Sequence, residues 1–264
     1  NSTLAAAISA NKHGIKVAHL ESGLRSNDRT MPEEINRLAV DHVSDYLFVT
    51  EQSGIDNLLR EGIPSERMYL VGNTMIDTLV AYDRQIRESQ IRKKLSIEDD
   101  YALVTIHRPS NVDNNKDLIR TIELLNVSAI GRKVIFPVHP RTAKQLEELG
   151  MSAGIALKKN IMLCEPLSYF DFQHLLAHAK FVLTDSGGIQ EETTFRQVPC
   201  LTLRPNTERP VTVTEGTNVL CEFSPDAVEA HIERIDNGQF KQGRIPALWD
   251  GKATQRVIDF IKEF

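Results

Sequence analysis

Several stretches of the chain place donor-rich or ionisable residues directly behind a short apolar run. KFVLTD (180–185) is followed by Ser186, Gly187 and Gly188, with a helix expected from about Ile189. Two glycines let backbone N–H groups come close to an anion, and a helix N-terminus adds its partial positive charge. Ser186 adds a hydroxyl donor. The same residues also make an ordinary tight turn with a serine cap. Glu191 and Glu192, one turn further on, either complement the helix dipole or hold ribose hydroxyls, as acidic residues do in nucleotide-binding folds. PCLTL (199–203) leads into RPNTERP, with Arg204 and Arg209 on a loop fixed by prolines. Two such arginines are either solvated or, beside the Ser-Gly-Gly turn, a clamp for a diphosphate.

Histidines close two more runs: His107 after ALVTI and His139 after KVIFPV. Each is a buried structural histidine or a group facing a crevice at the carboxyl ends of parallel strands. Near the N-terminus, KVAHL ends on Glu21, and MPEEINR puts Pro32 at a helix start with Glu33 and Glu34 in the first turn. Acids there stabilise a helix N-terminus; equally, Glu21, Glu33 and His107 form a set able to take and give protons. His174 and His178 have the i, i+4 spacing of a helical metal pair. They lack the intervening Glu of a zinc-hydrolase motif and a third ligand nearby, and read as rim histidines.

The elements that must hold these residues follow from patterning. Apolar runs at 15–20, 46–50, 68–72, 102–107, 133–139, 160–164, 180–185, 199–203 and 218–222 read as buried strands, with helical stretches between them. Strands alternating with helices give parallel sheets covered on both faces. The charged segment 83–100 separates three strands from six. The expected division is therefore 1–87, a short first block, and 88–264, a complete doubly wound domain, with the amphipathic last helix able to pack back on the first. With 31 Lys and Arg against 36 Asp and Glu, the net charge is −5. That balance argues against a phosphate-backbone binder, which would need a basic face, so no nucleic-acid partner is expected. No apolar run approaches the roughly 20 residues of a membrane span. Three cysteines without CxxC spacing point to neither a zinc site nor a disulfide framework, and make a reducing cytoplasm the expected setting. The chain opens on a helix, NSTLAAAISANKHG, with no strand before it, which leads us to expect a further segment upstream.

Taken together, HLESGLRS, MPEEINR, TIHRP, FPVHPRT, TDSGGIQEE and NTERP resemble the non-hydrolysing UDP-N-acetylglucosamine 2-epimerases. The resemblance runs through nearly the whole chain and rests on the combination of motifs in order. It implies an α/β fold of two Rossmann-like domains similar to the glycosyltransferase-B fold, the first incomplete here, with the active site between them. It implies interconversion of UDP-GlcNAc and UDP-ManNAc through loss of UDP and a 2-acetamidoglucal intermediate. NAD and an essential metal have no part in that chemistry, and the family form is a homodimer. Residue by residue, it implies that Glu21, Glu33 and His107 are the active-site groups, Glu33 being the family position rather than Glu34. Which of them removes the C2 proton stays open. His139 and Arg209 match diphosphate-binding residues, Ser186, Gly187 and Gly188 the phosphate turn, Glu192 the ribose ligand and Phe172 the uracil position.

The chain departs from the family pattern at its start. Family members carry an upstream GTRPE-like motif and an Asp in a GD motif, which implies about one hundred residues more than are seen here. A chain without that Asp is expected to be slow or inactive, since one member of an acid–base set contributes about 10²–10⁴-fold. Three rival readings stand beside the epimerase: the hydrolysing branch that releases free ManNAc, a UDP-binding fragment without turnover, and a glycosyltransferase of similar fold. The GGIQEE form at 187–192 favours the non-hydrolysing branch, and the paired Glu21 and Glu33 argue against a transferase.

Overall fold

The computed structural model describes residues 1–107 and 114–263. They form two compact units. Unit 1 contains residues 1–81, 206–214 and 245–264; unit 2 contains 82–205 and 215–244.

All nine expected strands are present: β1 (Ala18–Ser22), β2 (Tyr46–Val49), β3 (Met68–Leu70), β4 (Tyr101–Thr105), β5 (Lys133–Pro137), β6 (Ile161–Cys164), β7 (Phe181–Thr184), β8 (Cys200–Thr202) and β9 (Asn218–Leu220). Every pairing among the described residues is parallel. The expected α/β class with parallel sheets is what the chain adopts. The largest displacement from expectation is β1, read at 15–20 and found at 18–22. Residues 15–17 lie before the ladder, where the Val17 carbonyl accepts from the Asp45 and Tyr46 amides.

Unit 1 carries a three-stranded sheet in the order β1-β2-β3. Its core includes Leu47, Val49 and Leu58 on one side of β2 and Phe48, Val71 and Val257 on the other. The C-terminal segment joins this unit for identifiable reasons. Phe260, on the helix Ala253–Ile261, stacks its ring against Tyr46, Phe48 and Tyr69 at centroid distances of 4.0–5.4 Å. The start of that helix is capped by Asp77, whose carboxylate accepts from the Ala253 and Thr254 amides. Trp249 is fully buried and donates its indole N–H to the Thr50 carbonyl.

Unit 2 carries a six-stranded sheet in the order β6-β5-β4-β7-β8-β9. Alternate residues of its strands feed two cores, as the period of two requires. Ala102, Val104, Phe136 and Leu183 face the helices Asn115–Ser128 and Pro225–Asp236 through Ile122, Leu125 and Val228. Tyr101, Leu103, Ile135 and Val182 face Leu175, Leu176 and Ile91. The short helix Asp83–Arg87 packs here: Arg196 pairs with Asp83 at 2.7 Å, and His174 Nδ1 meets the Ile86 carbonyl at 2.8 Å. The rim histidine His174 thus anchors a helix. Among the described residues, no helix is long and apolar enough to cross a membrane.

Candidate functional site

Numbered within unit 2, the sheet order is 3-2-1-4-5-6, the doubly wound arrangement whose direction of progression reverses between its first and fourth strands. Those strands are β4 and β7. Ligands of open α/β sheets bind beyond the carboxyl ends of the strands at this reversal, where the connections leave toward opposite faces. His107 follows β4, and Asp185, Ser186, Gly187 and Gly188 follow β7. The register pairs Thr105 with Thr184, so the residues just beyond them are neighbours.

The contact is direct. Asp185 is fully buried, and both of its carboxylate oxygens accept from the His107 backbone N–H, at 3.2 and 3.1 Å. The ring Nδ1 of His107 lies 3.0 Å from Asp185 Oδ1, while 62% of the His107 side chain is exposed. The next residues make the anion-type turn. Its helix starts at Gly187, two residues earlier than expected, so both glycines are helical and belong to the first turn. Left-handed backbone is therefore not what the glycines supply; their small size leaves the amides open to close approach. Ser186 is the N-cap residue, yet its side chain makes no capping hydrogen bond. The turn is held from beneath: Gln190 donates to the Ser186 carbonyl, Asn218 donates to Gln190, and Thr202 donates to Asn218. These three side chains are fully buried.

One turn further along, Glu192 is 5% exposed. Burial pushes its carboxyl up to about 7, although a hydrogen bond from Gln173 and the charge of Arg196 pull the other way. Tyr169, pushed up to about 12 mainly by burial, also feels the Glu192 charge. Phe172 is half-buried on the same helix as Tyr169 and Gln173, and it borders the same apolar cluster as Ile189. His139 is exposed at the end of β5, one strand along from β4. It is the N-cap of Pro140–Ser152, and its Nδ1 accepts from the Arg141 amide at 3.3 Å. A neutral ring accepting at Nδ1 carries its proton on Nε2, which is then a donor available to an anion.

In unit 1, Glu21 lies within β1 rather than behind it. It sits at a register irregularity between Leu20 and Ser22, with φ 59°. A non-glycine residue in the left-handed region is sterically costly, and such residues cluster at functional sites. The two candidate acids after Pro32 separate cleanly. Glu34 is 2% exposed and accepts from the Ser26 amide and hydroxyl, the Asn27 amide and Arg37. Burial alone would raise its carboxyl, but the Ser26 and Asn27 amides outweigh that and hold it low. Glu34 is thus a clasp for the loop after β1, whereas Glu33 is exposed and, among the described residues, has no hydrogen bond or ion pair.

That loop has a second clasp, which sequence reasoning missed. Asp41 is fully buried and accepts from His19 Nδ1 at 2.6 Å, the Arg25 guanidinium at 2.7 Å and the Gly23 amide at 3.0 Å. Burial opposes its ionisation, yet the His19 hydrogen bond and the Arg25 charge together keep it below the ordinary range. Gly23 has φ 80°, and a Cβ there would collide with the Gly54 backbone. The loop that follows Glu21 is therefore pinned on both sides.

Arg209 and Arg204 fall in different units, 1 and 2 respectively. Arg209 pairs with Glu208 at 2.7 Å, and Glu208 lies 3.8 Å from Arg37, which itself pairs with Glu34. The TERP loop is thereby tied to the helix that bears Glu33. Of the expected site residues, unit 2 brings His107 to the Ser186–Gly188 turn through Asp185. Unit 1 connects Arg209 with the Glu33 helix through Glu208 and Arg37, and it makes no hydrogen bond between Glu21 and Glu33. Asp185, Gln190, Asn218, Asp41, Arg37 and Glu208 were not singled out from sequence. Asp185 had a usable signal: in the 3-2-1-4-5-6 order the first and fourth strands are adjacent, which sets the residue after one beside the residue after the other.

A family model described as UDP-N-acetylglucosamine 2-epimerase matches residues 1–262. A Methanocaldococcus jannaschii protein called UDP-N-acetylglucosamine 2-epimerase is 40% identical, over 98% of this chain and 72% of its own. A Pseudomonas aeruginosa protein called UDP-2,3-diacetamido-2,3-dideoxy-D-glucuronate 2-epimerase is 37% identical, over 99% and 72%. A Methanococcus maripaludis relative matches with 66% of its length. Among solved structures, the M. jannaschii enzyme in complex with UDP-GlcNAc and UDP superposes with a TM-score of 0.84 at 38% identity, covering 99% of this chain and 73% of that one. The Neisseria meningitidis enzyme bound to UDP-GlcNAc gives 0.84 at 27% identity, with 99% and 73% covered.

Proposed function

The chain belongs to the UDP-N-acetylglucosamine 2-epimerase family, and from that premise we propose that it inverts C2 of UDP-GlcNAc to give UDP-ManNAc, reversibly. The C2 hydrogen is not acidic enough for direct removal, so the reaction proceeds by elimination. The C1–O bond breaks and its electrons leave with UDP; the C2 proton passes to a protein base. The C1=C2 bond of a 2-acetamidoglucal forms between them. Delivery of a solvent-exchanged proton to the opposite face of C2 and return of UDP to C1 complete the inversion. Nothing is oxidised overall.

The demands of that path match the residues available. A departing diphosphate needs donors fixed in advance where its charge develops. The Gly187 and Gly188 amides, the Ser186 hydroxyl, His139 Nε2–H and the Arg209 guanidinium fill that role. Glu192 accepts from the ribose hydroxyls, and Phe172 stacks on the uracil. Glu21, Glu33 and His107 handle protons around C2. For Glu21 and Glu33, the support is that neither carboxylate has a structural partner among the described residues, in contrast to Glu34 and Asp41. The observation that carries the reading is the placement of His107 and the Ser186–Gly188 turn together at the strand-order reversal of unit 2.

Anion-exchange analysis of UDP-GlcNAc incubated with the protein tests it. A second UDP-sugar peak identified as UDP-ManNAc supports the proposal. Free ManNAc with stoichiometric UDP would place the protein in the hydrolysing branch instead. The 37% identity to the diacetamido-glucuronate enzyme favours including that UDP-sugar as a competing substrate. The working form in this reading is a homodimer in the cytoplasm, and light scattering checks the assembly.

A further inference from the structure

We infer that Asp185 is the positioning residue for His107, holding its imidazole as the Nδ1–H tautomer and leaving Nε2 as the proton acceptor. The inference rests on the reading of His107 as a proton-transfer group. Three observations converge on it. The Asp185 carboxylate is fully buried, so its position is set by the fold rather than by solvent. It accepts from the His107 main-chain N–H with both oxygens, which fixes the backbone from which the ring projects. It also lies 3.0 Å from Nδ1 of the same ring, although most of that ring faces solvent.

An exposed histidine on a strand end has free rotation about χ1 and χ2 and exchanges between two tautomers. A carboxylate only accepts, so the ring nitrogen facing it must carry hydrogen. In the neutral ring the lone pair is then confined to Nε2, the form a base needs. The carboxylate also favours the imidazolium once Nε2 has taken a proton. Asp185 immediately precedes Ser186, the first residue of the anion-type turn. One buried residue thus sets the acid–base group at the end of β4 relative to the phosphate donors at the end of β7. A buried Asp that served only to cap the His107 amide would have no need to approach Nδ1.

The test has two arms. In the first, the protein is labelled with ¹⁵N-histidine, and the His107 resonances are assigned by difference from His107→Asn. At a pH where the ring is neutral, we expect Nδ1 protonated and Nε2 bare. Protonation at Nε2 instead, or a freely exchanging mixture, overturns the inference without reference to turnover. In the second arm, Asp185→Asn keeps the shape and can present an amide N–H to the ring. We expect kcat for UDP-GlcNAc epimerisation to fall by about 10²–10⁴-fold, KM to stay within about threefold, and the tautomer to shift toward Nε2–H. Wild-type kcat and an unchanged tautomer in a folded D185N protein overturn the inference. If His107→Asn keeps wild-type kcat, the proton-transfer reading of His107 fails, and the ¹⁵N result still decides whether Asp185 sets the tautomer.

Discussion

Replacing Glu192 by Gln should make the protein more stable and a poorer ligand binder, and both effects should depend on pH. In the fold, burial raises this carboxyl from 4.5 to about 7. Between those values the native state holds a proton that the unfolded chain has released, so stability falls as pH rises through that window and is flat above it. At about 1.4 kcal/mol per decade, the ionised group costs the fold about 3 kcal/mol at pH 8. Glutamine carries no such cost. The unfolding free energy of E192Q minus that of wild type should therefore grow by about 3 kcal/mol between pH 4.5 and pH 8, as read from urea titrations at each pH. Ligand binding should move the other way. If ribose hydroxyls donate to ionised Glu192, affinity for UDP-GlcNAc, whose diphosphate is fully ionised throughout this range, falls about tenfold for each pH unit below 7. E192Q should bind more weakly, with affinity flat in pH. A stability difference constant to within about 0.5 kcal/mol over this range would refute the raised carboxyl. A flat wild-type affinity would refute its role at the ribose.

Two further perturbations probe unit 1. Asp41→Asn leaves Arg25 buried with one of its two carboxylate partners gone, and should cost about 3–5 kcal/mol in chemical denaturation. Because Asp41 is held below its unfolded value, its contribution is present above about pH 4 and is lost as pH falls through the folded value. The D41N deficit should therefore persist from pH 8 to 5 and shrink only in acid; a deficit under about 1 kcal/mol would contradict the clasp. Arg209→Ala should raise the Kd for UDP about 10- to 100-fold, the worth of a charge-assisted hydrogen bond, and unchanged calorimetric affinity would remove it from the diphosphate site.

Strand positions were legible because each strand is a short apolar run between polar turns, and burial on both faces leaves few alternatives. β1 was read three residues early because Ile15 and Val17 extend the apolar run while the sheet begins only at Ala18. The helix Gly187–Arg196 also begins earlier than its pattern suggests, since sequence patterns treat glycines as loop although a first-turn position tolerates them. The choice of Glu33 over Glu34 rested on family resemblance. Its physical counterpart, the use of Glu34 by Ser26, Asn27 and Arg37, depends on a loop that doubles back and leaves no trace in spacing. The return of 206–214 to unit 1 was equally hidden. Phe260 reads simply as one apolar position on an amphipathic helix until Tyr69 and Phe48 are placed beneath it. Asp185 looked like the last residue of a strand; only the pairing of β7 with β4 makes it a partner of His107.

The most direct test of the account is proton NMR of UDP-GlcNAc with the protein in D₂O. Elimination and re-addition require the C2 hydrogen to leave and a solvent-derived one to return. The H2 signal should be lost from both UDP-GlcNAc and UDP-ManNAc as they interconvert, and Glu21→Gln, Glu33→Gln or His107→Asn should slow that loss with UDP affinity little changed. Interconversion with H2 retained would contradict the proposed chemistry, and wild-type exchange in all three variants would contradict the assignment of these residues to it.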